Sequence, residues 1–411
     1  MPIRAPQSLR RVALVGALIG LLATAACTSN PTWHDPGQQT GTPAASGEAA
    51  APGTGPAITS PTDGATDVGV SPAVAYTAPD GTTTTVTFVA ADGTTVDATP
   101  GYDPSTAVPV KALAYDAKYT AKITSTSTDG KTSSSSVSFT TMTQPGKLNT
   151  VHSFLGNAMT YGDAMPIIIQ FSQPVSSANR ADVQKRLAVT STPEQPGAWN
   201  WISSKEVHFR PKELWQPGTQ ITINTTTAGV ETGNGYYAKN DLVVNAKITE
   251  HPMSIIDDDA THIMTVSVDG KVVKRMPTSL GKPSTPSSSG QLVIMTRHPQ
   301  QLFDSSLGTG GVPVDAPGGY KELVYWVMQL TWDGQFIHAA PWSVPSQGKR
   351  DVSHGCTNVS TANAKWLYEN SLVGTPVNVE HTKAKVAWGD GWTDWNVDWT
   401  TFIKGSALPV T

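Results

Sequence analysis

Cys356 lies in the run Ser353-His354-Gly355-Cys356-Thr357-Asn358, and fourteen residues separate Ser353 from His338 in Phe336-Ile337-His338-Ala339-Ala340-Pro341-Trp342. A thiol is a weak nucleophile at neutral pH until a base or an electropositive setting makes it thiolate. Two histidines are candidates for that base: His354, two positions before the cysteine, and His338, at the end of a predicted strand. One thiol takes one base, and spacing alone leaves the choice open. Gly355 lets the backbone bend so that amide N–H groups around 354–356 face one point, as an oxyanion hole requires. This is the pattern of nucleophilic acyl transfer. Metal chemistry competes for the same residues, since His338, His354 and Cys356 make three ligands, the number of a catalytic zinc site. His-x-Cys spacing strains two ligands around one ion, and no nearby carboxylate supplies a base, so no metal and no cofactor are expected. The plain alternatives are a buried structural thiol and a satisfied core histidine.

The elements that must hold these groups begin near residue 251. Ile263–Val268, the turn Asp269-Gly270 and Lys271–Arg275 read as a hairpin; Gln291–Thr296, Lys321–Leu330 and Gln335–His338 read as further strands. Thr361–Asn370 reads as a helix with Thr361 at its N-cap and Ala364, Trp366, Leu367 and Asn370 at helical spacing. Eight of the twelve Trp fall between 326 and 399, four of them after Thr382. A tail over 383–411 carrying that much apolar surface is expected to pack back on the folded body.

The chain has 411 residues, enough for two to four domains. Its charged fraction is 15% and its formal net charge −4. No basic stripe exists to neutralise phosphates, which argues against a nucleic-acid partner. Residues 1–27 read as a targeting segment: Arg4, Arg10 and Arg11 precede an apolar run from Val12 to Ala26 that is too short to span a bilayer. Cys27 follows Ala25-Ala26, an arrangement like a bacterial lipobox with Thr24 where Leu is usual. Acylation or removal of Cys27 leaves Cys356 as a lone thiol in an oxidising compartment. Residues 28–56 carry five Pro, five Gly and no Lys or Arg, the composition of a tether. Residues 57–144 alternate over Thr83–Val89, Lys118–Ser125 and Ser134–Thr140 between Asp-Gly turns, which indicates an immunoglobulin-like β-sandwich. A second all-β segment runs over 145–250, with strands at Ile167–Phe171, Glu206–Phe209, Gln220–Asn224 and Asp241–Ile248. In it, Glu231, Asn234 and Gly235 present oxygens to a cation, or simply form a turn.

The spacing from His338 through Ser353-His354-Gly355-Cys356-Thr357-Asn358 resembles the signature of L,D-transpeptidases with a YkuD-like catalytic domain. His338-Ala339-Ala340-Pro341-Trp342-Ser343 and Gln347-Gly348 are similar to the mycobacterial and related actinobacterial members, which also carry a lipoprotein-type signal, two immunoglobulin-like domains and a Trp-containing C-terminal extension. The resemblance implies a mostly β fold with the catalytic domain over 251–382. It implies Cys356 as nucleophile on the L-centre carbonyl of meso-diaminopimelate in a tetrapeptide stem, D-Ala as leaving group, and a 3→3 cross-link as product. It implies His338 as base and acid, oriented by a carbonyl at or near Ala339, with His354 and Gly355 shaping the oxyanion hole. Ser353 and Asn358 would hold the loop or the substrate, Tyr320 would lie on a lid, Trp342 would form cleft wall, and Asp333-Gly334 would offer backbone contacts at the cleft edge. Peptidoglycan stem peptides and carbapenems are the partners implied, with an outer-face lipid anchor in the cell envelope. The lid stretch Ser305–Gly311 is glycine-rich where relatives tend to place an aromatic. The same chemistry with water as acceptor would make a carboxypeptidase, and with a protein amine an anchoring ligase. A wall-binding protein without catalysis is the alternative of a different class.

Overall fold

The structure, a computed structural model, describes residues 55–307 and 311–410. The targeting segment, Cys27, nearly all of the tether and Gly308–Gly310 of the glycine-rich stretch lie outside the described residues. No helix among the described residues is long and apolar enough to cross a membrane.

Alternation of Val and Phe with Thr builds the first sandwich. Thr83–Ala90, Lys118–Thr126 and Thr132–Thr141 pair antiparallel. Their inward residues Val86, Phe88, Ala121, Ile123 and Phe139 form its core. The second sandwich stacks two four-stranded sheets. One contains Ile167–Phe171, Glu206–Pro211 and Gly197–Trp201, the other Leu187–Thr192, Gln220–Thr225 and Leu242–Ile248. Ile167, Ile168 and Ile169 are all fully buried. Three consecutive buried residues require cover on both faces of a strand. The same apolar cluster accordingly takes in Val293, Met295 and Trp392 from the C-terminal third. Glu231 and Asn234-Gly235 form a hairpin turn, with φ of 55° and 72° at the last two.

That cluster shows what the Trp-rich tail packs against. Trp392 is 1% exposed and meets Phe154 edge-on at 4.7 Å, and Trp395 Nε1 donates to the Ala164 carbonyl at 2.8 Å. Arg210 lies over Trp395, Trp399 and Phe402 at 4.4–5.3 Å. Trp388 stays exposed. Buried His208 is clasped between Asp394 of the tail at 2.9 Å and Glu206 at 2.8 Å. Burial alone would lower its pKa, but the two carboxylates outweigh it and raise it to about 9. A raised pKa stabilises fully below the free value near 6.5, and the contribution is lost as pH rises through 9. The melting temperature is therefore expected to fall between pH 7 and 10, and His208→Gln to remove most of that slope in a scanning-calorimetry series.

The remaining domain packs a six-stranded sheet, which includes Met253–Asp258, Ile263–Val268, Ser288–Val293 and Pro376–Glu380, against a four-stranded one. The smaller sheet is β1 (Thr296–Asp304), β2 (Lys321–Gln329), β3 (Phe336–Ala339) and β4 (Thr357–Val359), followed by α1 (Thr361–Asn370). Two expectations need correction. The strand predicted over Gln291–Thr296 breaks after Val293, because Ile294 N–H bonds Thr375 and Met295 N–H bonds Gln329 as the chain passes between sheets. The N-cap of α1 is Ser360, not Thr361: Ser360 is extended and its Oγ accepts from Asn363 N–H at 3.3 Å. Ala364 and Leu367 enter the core as expected, whereas Asn370 faces solvent.

Candidate active site

Parallel pairing of β3 with β4 sets Ile337 opposite Thr357, His338 opposite Asn358 and Ala339 opposite Val359. Side chains alternate along a strand and paired residues share a face. Ile337, Ala339 and Val359 therefore point into the core. Phe336, His338, Asn358 and Cys356, one residue ahead of β4, share the opposite face. Thr357, on the core side, donates to fully buried Asp257 at 2.7 Å, and Thr278 donates to the same carboxyl at 3.0 Å. Burial pushes that carboxyl up to about 6. Asp257 thus anchors β4 directly behind the cysteine, a contact across one hundred residues of sequence.

His338 is 4% exposed and its Nδ1 meets the Ala339 carbonyl at 2.9 Å. A carbonyl only accepts, so Nδ1 carries the proton and Nε2 is the ring's lone-pair nitrogen. Burial lowers the His338 pKa, so the ring is neutral at neutral pH. Cys356 is half-buried and its thiol donates to the Gly334 carbonyl at 3.6 Å. Burial pushes the thiol up to about 12; the Phe336 backbone N–H opposes this and Asp333 adds to it. At rest the pair is a neutral thiol and a neutral base.

The turn between them is fixed by Ser353. Its Oγ donates to the Cys356 carbonyl at 2.6 Å and accepts from Gly355 N–H at 3.1 Å. Gly355 sits at φ 130°, a conformation that side chains rarely adopt. The N–H groups of His354 and Cys356 have no acceptor among the described residues. The His354 ring is exposed and stacks on Tyr320 at 5.2 Å. Its pKa is lowered by partial burial and by Lys282.

His338, Cys356, Asn358, His354, Ser353, Tyr320 and Trp342 line one cavity of about 260 Å³. Asn358 is 3% exposed and its side-chain amide has no partner among the described residues, leaving its donors and acceptor for a ligand. Asp333 and Gly334 do not line the cavity. Gly334 touches the thiol instead, and Asp333 is tied to Thr331 and, through its N–H, to Asp390 at 2.9 Å. Sequence reasoning missed Phe303, Glu322, Val324 and Val352, which complete the lining. Tyr320, one residue ahead of β2, and Glu322 and Val324 on it stand two apart, so period-two reading from Tyr320 was the available signal. Phe303 reaches the cavity from β1, packing on Phe336 at 4.8 Å and on His338 at 5.3 Å. Glu322 is the one carboxylate in the lining.

The zinc arrangement does not form. Among the described residues, the one group of three metal-capable side chains with converging ligand atoms is Asp259, His262 and Asp351. What the site brings together is a thiol, a neutral imidazole and a sharply bent amide-bearing turn in a cleft walled by aromatic rings.

Residues 65–231 match the bacterial Ig domain family, and residues 252–379 match the L,D-transpeptidase catalytic domain family. The chain is 36% identical over 347 residues to L,D-transpeptidase 2 of Mycobacterium tuberculosis (strain CDC 1551 / Oshkosh), across 84% of this chain and 83% of that protein. It is 30% identical over 306 residues to L,D-transpeptidase 5 of Mycobacterium tuberculosis (strain ATCC 25618 / H37Rv), across 72% and 65% of the two chains. Among solved structures, an L,D-transpeptidase in complex with imipenem is 31% identical and covers 58% of this chain and 100% of its own, with a TM-score of 0.48.

Proposed function

The chain belongs to the L,D-transpeptidase family, and on that premise we propose that it forms 3→3 cross-links between peptidoglycan stems through a thioester on Cys356. The observation that carries this reading is the neutral thiol and neutral, carbonyl-oriented imidazole on one sheet face in one cavity. His338 Nε2 takes the Cys356 proton as sulfur attacks the L-centre carbonyl of diaminopimelate in a donor tetrapeptide. The N–H groups of His354 and Cys356 receive the oxyanion, and Ser353 holds their turn. The C–N bond to D-Ala breaks, and D-Ala leaves with the proton carried by His338. The amine of a neighbouring diaminopimelate then attacks the thioester, gives a proton to His338, and the sulfur departs and is reprotonated. The Asn358 amide is suited to a substrate carboxylate or carbonyl, and Tyr320 with His354 forms one wall.

Glu322 is suited to the acceptor, whose amine arrives protonated and gives one proton to bulk water before it attacks. Glu322→Gln is expected to raise the acceptor KM by roughly three- to tenfold, the scale of a partly exposed ion pair, with the acylation rate unchanged. Steady-state assays with the acceptor varied at saturating donor check this. Carbapenems belong to the same proposal as covalent ligands of Cys356, as does export to the cell envelope with a lipid on Cys27. The test is intact-protein mass spectrometry with a disaccharide-tetrapeptide. Gain of the donor mass less D-Ala, followed by release of a cross-linked dimer, supports the reading. Release of tripeptide alone replaces it with a carboxypeptidase, and no adduct with a freely alkylated thiol moves wall binding to the front.

A further inference from the structure

A second cavity, about 680 Å³, lies between the two sandwiches, far larger than the cleft at the thiol and within the range of about 300–1,000 Å³ that small-ligand sites occupy. One wall is a sheet face. Thr190 pairs with Thr222 and Ala188 with Asn224, so their side chains share the face opposite Ile221 and Ile223, which fill the sandwich core. The facing wall is the turn after Thr95–Pro100 in the first sandwich, which presents Tyr102 at 54% exposed. The walls meet through polar contacts: Lys185 pairs with Asp103 at 2.9 Å, and the Arg186 guanidinium donates to the Ser71 carbonyl.

The chemistry of this lining is specific about its occupant. Its charges, Asp103 and Asp182 against Lys185 and Arg186, cancel, so neither a polyanion nor a cationic peptide is favoured. What remains is a row of hydroxyls and an amide on a flat sheet, facing one exposed aromatic ring. The Asn224 amide has no side-chain partner among the described residues, so its donors and acceptor face the cleft unspent, whereas the Thr222 hydroxyl donates to Asn245 Oδ1 at 2.9 Å and keeps its acceptor lone pairs for a ligand. Hydroxyls and amides match the alternating donors and acceptors of a sugar, and an aromatic ring matches the apolar face of a pyranose.

We propose that the cleft between the sandwiches binds a neutral glycan strand of N-acetylated hexosamine units. The binding chemistry stands on the cleft itself, and only the identification of that strand with the wall polymer rests on the transpeptidase reading. The strand lies across Thr190, Thr222 and Asn224, with Tyr102 packed on a sugar ring. The sandwiches then act as a clamp on the polymer whose stems the thiol site would process.

The test is calorimetric titration of the full chain with an N-acetylglucosamine tetramer and, separately, with wall glycan strands stripped of their stem peptides and amidated at the lactyl carboxylates that stripping exposes. Both probes are expected to bind, and Tyr102→Ala and Asn224→Ala each to weaken binding by about three- to tenfold. Tyr102 is exposed, so its replacement leaves folding intact, and Asn224→Ala gives an independent second probe. Both variants are expected to keep the wild-type rate on a sugar-free tetrapeptide and to lose rate on intact wall. No binding of either glycan, binding indifferent to both substitutions, or binding only of free stem peptide overturns the proposal. Glycan binding with no acylation of Cys356 would leave the clamp standing and sink the transpeptidase reading alone.

Discussion

Cys356→Ala is expected to abolish acyl-enzyme formation and to lower cross-linking by roughly 10⁴- to 10⁶-fold, the scale of loss when a covalent nucleophile is removed. The protein should otherwise be unchanged. The side chain is half-buried and spends its one weak donor on Gly334, while Ser353 holds the turn through the Cys356 backbone carbonyl, which Ala retains. Intact-mass measurement with imipenem reads the result directly: one drug mass on the parent chain, none on the variant. A drug mass that persists on the Ala variant would move the nucleophile elsewhere and undo the proposed mechanism. Cys356→Ser is expected to be equally silent toward the drug, because a hydroxyl is harder still to ionise in the same buried position.

His338→Gln is expected to cost about 10²- to 10⁴-fold in acylation rate, the usual worth of a positioned base. The electrostatics make a sharper prediction. With the thiol pushed up to about 12, standing thiolate at pH 7.5 is no more than a trace. On the proposed mechanism the parent enzyme escapes this by transferring the proton to His338 during attack. Its rate should be flat through neutrality and fall only as acid protonates His338, whose pKa lies below the ordinary histidine value. The Gln variant has only thiolate made by bulk base. Its acylation rate should climb about tenfold per pH unit from pH 7 to 10. Stopped-flow acylation by imipenem across that range distinguishes the two profiles. A flat profile in the variant would hand the base role to His354, which the linear sequence leaves open and which the structure sets, exposed, against Tyr320.

The residues assigned to the proposed chemistry were legible because acyl transfer would need them in one short stretch. Cys356, Gly355 and Ser353 act through a four-residue turn, and His338 lies one strand away. Strands with one wet face were legible for the same local reason, as with Thr83–Ala90, where Val86 and Phe88 point inward between threonines. β1 escaped because Thr-Arg-His-Pro-Gln-Gln-Leu-Phe-Asp is wet on both faces, and a strand without a buried face has no alternation to show. Its concealment hid Phe303, and with it one wall of the cavity. Asp257 was illegible for a different reason. Its partner Thr357 is brought to it only by the pairing of whole sheets, and nothing in the vicinity of either residue announces the other. The Trp-rich tail showed that it must be buried without showing where. The aromatic count reports an area to be covered, while the choice of surface depends on Arg210, His208 and Phe154, each far upstream.

Because Trp392 completes the apolar cluster of the second sandwich, that domain is an unfinished object for most of the chain's synthesis. A chain emerging N-terminus first delivers the sandwich's own last strand at Ile248 well ahead of Trp392, whether it leaves a ribosome or an export channel. In that interval Phe154 lacks the indole that meets it edge-on, while the catalytic segment is still emerging. Chain order and folding order therefore part company: the first sandwich can close early, and the second must wait for the end of the polypeptide. Stop codons or proteolytic cuts after about residue 390 would spare every residue of the thiol cleft and still strike the molecule at its middle.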